Sequence, residues 1–132
     1  MGGLGMAVRN VTELVVYKKA YRQAMLFFES SKGFPVEERY ALIGQGRRSS
    51  RSVAMNLREA WAKRRYVAYF VSKLTDCDGE NSETNTTLNF ARDCEYISEE
   101  TYSELIELNE EIGKMLGSMI YRPDKFLLTP AS

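Results

Sequence analysis

The run Asp76-Cys77-Asp78-Gly79-Glu80-Asn81-Ser82-Glu83-Thr84-Asn85-Thr86-Thr87 decides what architecture this chain can adopt. Most of these residues form helices poorly, and propensity alone makes the run a loop. The flanking apolar residues argue against that. Val67, Phe70, Leu74 and Cys77 begin a helical stripe, and Leu88, Ala91 and Cys94 or Glu95 resume it. Positions 81 and 84 fall where the stripe passes. A loop has no reason to keep a heptad phase, so the spacing predicts one helix over 66–96 with a polar middle.

The segments on either side read as helices too. Leu14, Tyr17, Tyr21, Ala24 and Phe28 recur at spacings of three and four, which predicts a first helix over 12–31. Gly33 is placed to end it, and Pro35 to open the next. A second helix over 36–63 has the seam Ile43, Gly46, Ser50, Val53, Leu57 and Trp61. Its small residues, Gly46, Ser49, Ser50, Ser52 and Ala54, let a neighbour approach closely. The fourth helix has Ser98 as N-cap, Glu99 and Glu100 at the positive end of its dipole, and Pro123 as its stop. Its seam is Tyr102, Leu105, Ile112, Leu116 and Met119. Four long amphipathic helices with short links make an all-α, antiparallel up-and-down four-helix bundle over 11–122. A disordered leader is expected over 1–10 and a loose tail over 123–132.

Composition narrows the function. The 132 residues suffice for one domain, and 44% of them are hydrophobic, enough for one core. There is no histidine, which excludes Ser-His-Asp and Cys-His catalysis, His-ligated zinc and the Glu-x-x-His di-iron site. Two cysteines exclude a four-cysteine zinc site and a disulfide scaffold. Cys77 and Cys94 lie 17 residues apart on one predicted helix, roughly 25 Å, too far to pair. Reduced thiols fit a cytoplasmic protein. The start, Met1-Gly2-Gly3-Leu4-Gly5-Met6, lacks the apolar run of a signal peptide, and no stretch approaches a membrane span. A non-enzyme that needs no cofactor is expected.

The net charge of zero hides a segregation. Residues 39–75 carry nine basic groups against one acid, and residues 76–112 carry twelve acids against one base. The basic half points to a polyanion, an acidic partner, or the chain's own acidic half. On the second helix Arg47, Arg51, Arg58 and Arg65 are spaced 4, 7 and 7, so they fall within about 40° of one line if the helix reaches 65. Arg48, Lys63 and Arg64 widen the patch. Such a row can follow phosphates, or it is a solvated or salt-bridged face.

A second stripe, Gln45, Ser49, Ser52, Asn56 and Glu59, borders the apolar seam. It is expected to be partly buried, with Asn56 and Glu59 bonded to the third helix near Ser82 or Glu83. Asp76, Glu80 and Glu83 share one face. They do not match a calcium loop, because Gly79 is fourth from Asp76 and Thr87 is twelfth. A carboxylate metal site is conceivable there, but pairing with arginines of the second helix is the expectation, and no metal is assigned. Trp61, Tyr66 and Tyr69 flank the basic cluster and are expected to bury themselves in a subunit interface, with base stacking as the alternative.

The order Glu13-Leu14-Val15-Val16-Tyr17-Lys18-Lys19-Ala20, Phe34-Pro35 with Glu38 and Tyr40, Gln45-Gly46-Arg47-Arg48, Ser52, Asn56, Glu59, Asn81-Ser82-Glu83, Leu88, Ala91 and Tyr96-Ile97 carries a resemblance. Over about 12–121 the chain resembles the bacterial four-helix-bundle family first noticed in intervening sequences within 23S ribosomal RNA genes. Where that family usually reads Asn-Ile-Ala-Glu-Gly, this chain has Asn56-Leu57-Arg58-Glu59-Ala60, and departs at Arg58 and Ala60. The resemblance implies a cytoplasmic bundle that assembles as a homopentamer and has no known reaction. The family is similar to the accessory protein of diversity-generating retroelements, a barrel that binds nucleic acid and a reverse transcriptase. Two readings follow. One is a non-catalytic oligomeric accessory protein that binds RNA or DNA through Arg47, Arg48, Arg51, Arg58, Lys63, Arg64 and Arg65. The other is an interaction module whose basic and acidic halves pair within or between subunits.

Overall fold

The structure is a computed structural model that describes residues 10–128. Four helices carry the chain, α1 Val15–Ser31, α2 Gly44–Ala62, α3 Val67–Asp93 and α4 Glu99–Tyr121. No strand occurs among the described residues. The helices form a square in which α1 and α3 each pack on α2 and α4. Cross-helix pairs fix the directions. Lys19 meets Glu111 at 3.2 Å and Arg22 meets Glu104 at 2.8 Å, so α4 runs against α1. Arg48 meets Glu80 while Glu59 meets Lys73, so α3 runs against α2. The bundle is antiparallel and up-and-down.

The third helix is unbroken through its polar middle, and the predicted phase is the buried one. Phe70, Leu74, Cys77, Asn81, Thr84, Leu88 and Ala91 all face the core. Asn81 and Thr84 therefore sit inside the protein. At mid-height Gln23 of α1, Asn81 of α3 and Asn109 of α4 form a closed amide cluster. Asn109 Nδ2 donates to Gln23 Oε1 at 2.9 Å and to the Asn81 carbonyl at 2.9 Å. Asn81 Nδ2 donates back to the Asn109 carbonyl at 2.9 Å, and Gln23 Nε2 donates to Asn81 Oδ1 at 3.3 Å. The α2 side is closed by the Ser49 and Thr84 hydroxyls, 2.8 Å apart. Outward, the chain of bonds continues through Asn85 and Asn89 to the Tyr102 hydroxyl. This layer divides the apolar core. One half holds Val53, Leu57, Trp61, Phe70, Leu74, Ile112 and Leu116, and the other holds Phe27, Phe34, Leu88, Ala91 and Leu105.

Close approach of α2 depends on its small residues. A methyl group at Gly46 would run into the Phe27 ring of α1 and the Thr87 side chain of α3. Buried Ser50 returns its hydroxyl to the Gly46 carbonyl at 2.7 Å. The helix ends follow from local chemistry. The hydroxyl of Ser98 accepts the Thr101 N–H at the start of α4. The end of α3 is a Schellman turn, in which Tyr96 N–H reaches the Ala91 carbonyl and Glu95 N–H the Arg92 carbonyl. That places Glu95 at φ 60°, a left-handed conformation usually given to glycine.

Four expectations change. Pro35 does not open α2 directly. It precedes a 3-10 turn, Val36–Glu38, and a single π-helical turn, Arg39–Ile43. There the Glu38 carboxylate accepts the Leu42 N–H, and its other oxygen accepts the Tyr96 hydroxyl at 2.8 Å. On α1 the core stripe is Val16, Ala20, Gln23, Ala24, Phe27 and Ser31, so the predicted stripe was one face off: Tyr17 and Phe28 are half-buried and Tyr21 is exposed. The helix carries two adjoining apolar stripes, and periodicity cannot say which faces inward. The tail is not loose over 123–128. Pro123–Lys125 make a 3-10 turn, and Phe126 and Leu127 pack on the core. The expected leader, except for Asn10, and the end of the expected tail lie outside the described residues. Asn10 itself caps a 3-10 turn at Val11–Glu13.

Two substitutions should change stability with opposite signs. Asn109→Ala leaves several buried amide and carbonyl groups unpaired, at about 1–3 kcal/mol each, and should lower stability by at least about 2 kcal/mol in urea unfolding. Gly117→Ala, on an exposed face with open space around the added methyl, should raise it by about 0.5–1 kcal/mol. The thiols should also differ. Cys94 is exposed, whereas burial pushes the Cys77 thiol up to about 12. A thiol reagent at pH 8 should modify Cys94 alone in the folded protein, and Cys77 only in denaturant.

Candidate nucleic-acid interface

The polar residues of α2 fall on two sides of its buried seam. One side faces α3 and carries Arg48, Ser52, Asn56 and Glu59. The other faces outward beside α1 and carries Arg47, Arg51 and Arg58. The seven basic candidates are therefore not one patch.

Arg48 is neutralised inside the subunit. Its guanidinium meets Glu80 at 3.0 Å and Glu83 at 2.7 Å. Arg47 is half-buried and lies against the end of α1. Its Nε donates to Ser31 Oγ at 2.9 Å, and its guanidinium carbon stands 4.7 Å above the Phe28 ring. Arg64 is folded back over Trp61, 4.0 Å from the ring, with a 2.8 Å bond to the Trp61 carbonyl. Burial lowers its pKa. Lys63 is exposed, 5.5 Å above the Tyr69 ring. Arg51 and Arg58 stay exposed, Arg51 with its guanidinium carbon 5.6 Å from the Phe28 ring. Arg65 is exposed as well but leaves the line, because α2 ends at Ala62 and the chain turns over 63–66. Among the described residues no carboxylate pairs with Arg51, Arg58 or Arg65.

Between Arg51, Arg58 and α1 lies a groove of about 300 Å³ lined by Tyr17, Tyr21, Ala24, Met25, Ala54 and Met55. This is the second apolar stripe of α1. The regular spacing of Tyr17 and Tyr21 was visible in the sequence, but nothing there separated it from a core stripe.

The expected polar network has another centre. Its hub is Glu80, whose Oε2 accepts from Arg48 and from Ser52 Oγ at 3.1 Å. Asn56 is half-buried and bonds within its own helix, donating to the Ser52 carbonyl and hydroxyl. Glu59 is not buried: its side chain is 47% exposed, and it accepts the Tyr69 hydroxyl and pairs with Lys73 at 3.3 Å. It sits one turn short of the α2 end, where α3 has only begun to close over that side. Gln45 is exposed and accepts from Arg48. Ser82 is exposed and turns toward α4, beside Asn85 and Asn109. Among the expected helix-3 partners only Glu83 joins the network, through Arg48.

The carboxylates do not assemble a metal site. Glu80 and Glu83 hold Arg48, and Asp76 stands 3.5 Å from Lys73. Among the described residues no three His, Cys, Asp or Glu side chains are placed to hold a metal ion. Of the corner aromatics, Trp61 is buried within its own subunit, while Tyr66 and Tyr69 are exposed.

Fold and site together define an all-α up-and-down bundle with a buried amide layer and a basic outer face on its second helix. The sequence matches the family described as 23S rRNA-intervening sequence protein over residues 12–118, and the chain belongs to that family. Among solved structures it is similar to a protein of unknown function from the S23 ribosomal protein family of Bacteroides thetaiotaomicron. That match has a TM-score of 0.73 and 30% identity, and covers 81% of this chain and 96% of the other. Among curated proteins there is no match. Neither the family nor the structural neighbour names a reaction. No helix among the described residues is long and apolar enough to cross a membrane.

The Glu80 hub has a signature in pH. Burial pushes its carboxyl up, but Arg48 and Ser52 outweigh that and hold it below the ordinary glutamate range. A lowered folded pKa stabilises above the ordinary value, and that contribution is lost as pH falls through the lowered one. Arg48→Ala leaves the burial and removes the guanidinium. The Glu80 carboxyl should then titrate at a higher pH by NMR than it does in the wild type.

Proposed function

We propose that the protein is a non-catalytic, oligomeric accessory protein of the cytoplasm that holds nucleic acid by its phosphates along the outer side of α2. The observation that supports this is the unmatched charge of Arg51 and Arg58 on that side, with Arg65 exposed on the turn beyond it. In the acidic half of the chain, Asp76, Glu80, Glu83, Glu104 and Glu111 meet Lys73, Arg48, Arg22 and Lys19 instead. The row is therefore left to an anion from outside. A guanidinium in that position binds phosphate bidentately and reads no base.

Assembly belongs to the same reading. Tyr66 and Val67, at the α2–α3 corner, are exposed apolar side chains that a lone bundle does not need. Several copies joined there, five in the form that the resemblance implies, would multiply weak phosphate contacts into useful affinity. The second reading, an interaction module without nucleic acid, is favoured by the Arg48 pairings, which show that part of the basic half is satisfied internally.

Titration with duplex DNA and structured RNA at two salt concentrations separates them. If three phosphates are engaged, log affinity should fall against log salt with a slope of about −2.7, taking about 0.9 per contact. Arg51→Glu combined with Arg58→Glu should weaken binding by about tenfold or more while light scattering shows the same assembly. No binding at low salt, or loss of the assembly, transfers the row to the interaction-module reading.

A further inference from the structure

We propose that the groove between α1 and α2 receives an unpaired base, so that the nucleic acid held by this face is single-stranded. This rests on the phosphate reading above and names the substrate class of the same face.

The groove lies at the outer edge of the bundle's own packing. The α1 residues that fill the core are Val16, Ala20, Ala24 and Phe27. Ala24 is shared with the groove, as are Ala54 of α2 and Tyr17, which packs on the core from its edge. The walls are apolar side chains left in water, with Tyr21 56% exposed, Met25 45% and Met55 71%. Tyr17 and Tyr21 stand with ring centroids 6.3 Å apart and planes tilted by 36°, so their faces do not cover each other. An exposed ring face beside flexible thioethers suits a flat, polarisable ring. The volume of about 300 Å³ suits one nucleoside.

The charges favour a nucleotide over an apolar peptide. Arg51 and Arg58 are the charged groups that line the groove, and no carboxylate lines it. They stand two turns apart, about 10.5 Å along the helix axis. A base inserted between them leaves its own phosphate and the next within reach of the two guanidinium groups. Arg51 lines the groove with its guanidinium carbon 5.6 Å from the Phe28 ring. A duplex cannot use this arrangement, because its bases are stacked away from the protein. Aromatic stacking beside a basic row is how single strands are held without sequence preference.

The test compares a fluorescent oligouridine 12-mer with an RNA duplex of the same length, by anisotropy at low salt. The single strand is expected to bind at least tenfold tighter. Tyr21→Ala should weaken the single strand about tenfold and leave the duplex unchanged, and Tyr21→Phe should bind as the wild type does. Tyr21 is exposed, so an unchanged melting temperature is expected for both variants. Equal binding of strand and duplex, with Tyr21→Ala altering neither, overturns the base pocket and leaves the phosphate reading standing. No binding of either RNA overturns both. A Tyr21→Ala protein whose mass by light scattering differs from wild type overturns the pocket too, and makes the groove an interface between copies of this chain.

Discussion

The buried amide cluster of Gln23, Asn81 and Asn109 is the constraint on which the bundle depends. Each of these side chains gives up water, and each recovers its hydrogen bonds only when its helix stands at one height and one rotation. A leucine layer tolerates a slide of a fraction of a turn; an amide layer does not, because the slide leaves buried donors and acceptors empty. Asn109 alone bonds to Gln23, to the Asn81 side chain and to the Asn81 main chain. The Ser49–Thr84 hydroxyl pair extends the same condition to α2. The apolar halves above and below supply most of the burial energy, while this layer selects one register from the several that they would accept.

That division of labour explains what could be read from the sequence and what could not. The fold was legible because α3 keeps its heptad phase through residues that are poor helix formers. Asn81 and Thr84 fall in the phase since they point inward, and Asp78, Ser82 and Thr86 fall out of it. The partners of Asn81 were not legible. Gln23 and Asn109 are single polar residues in amphipathic helices, and nothing local distinguishes a buried amide from one at the edge of a polar face. The first helix misled for a related reason. Its residues at 14, 17, 21, 24 and 28 have the spacing of a core stripe, and only the positions of α2 and α4 reveal that the stripe beginning at Val16 is the inner one. The reach of α2 to residue 65 failed at the turn over 63–66, where Arg64 folds onto Trp61.

The candidate site was legible as charge and not as geometry. Counting found the basic and acidic halves, but pairing depends on which turn of α2 faces α3. Arg47 and Arg48 are adjacent in sequence and sit on opposite flanks of the buried seam, one against Ser31 and the other between Glu80 and Glu83. A rotation of about 100° between neighbours is enough to send one arginine to an internal ion pair and the next toward the outer face. Two such steps, about 200°, separate Glu59, which stays in water, from the seam residue Leu57.

The two apolar stripes of α1 bear on function through stability. Core residues are held by packing, so Phe27 and Ala20 answer to the fold. Tyr21, Met25 and Met55 touch little of the core, and their exposure costs free energy without any return in the isolated subunit. A bundle of this size needs one stripe per helix, and the inner stripe of α1 already closes against Gly46 and the amide layer. The outer stripe is the part of α1 that the bundle's own packing accounts for least. Its position beside arginines that no carboxylate among the described residues meets is what the proposed base and phosphate would complement, and the register set by the amide layer and the Ser49–Thr84 pair holds the helices on either side of the groove in place.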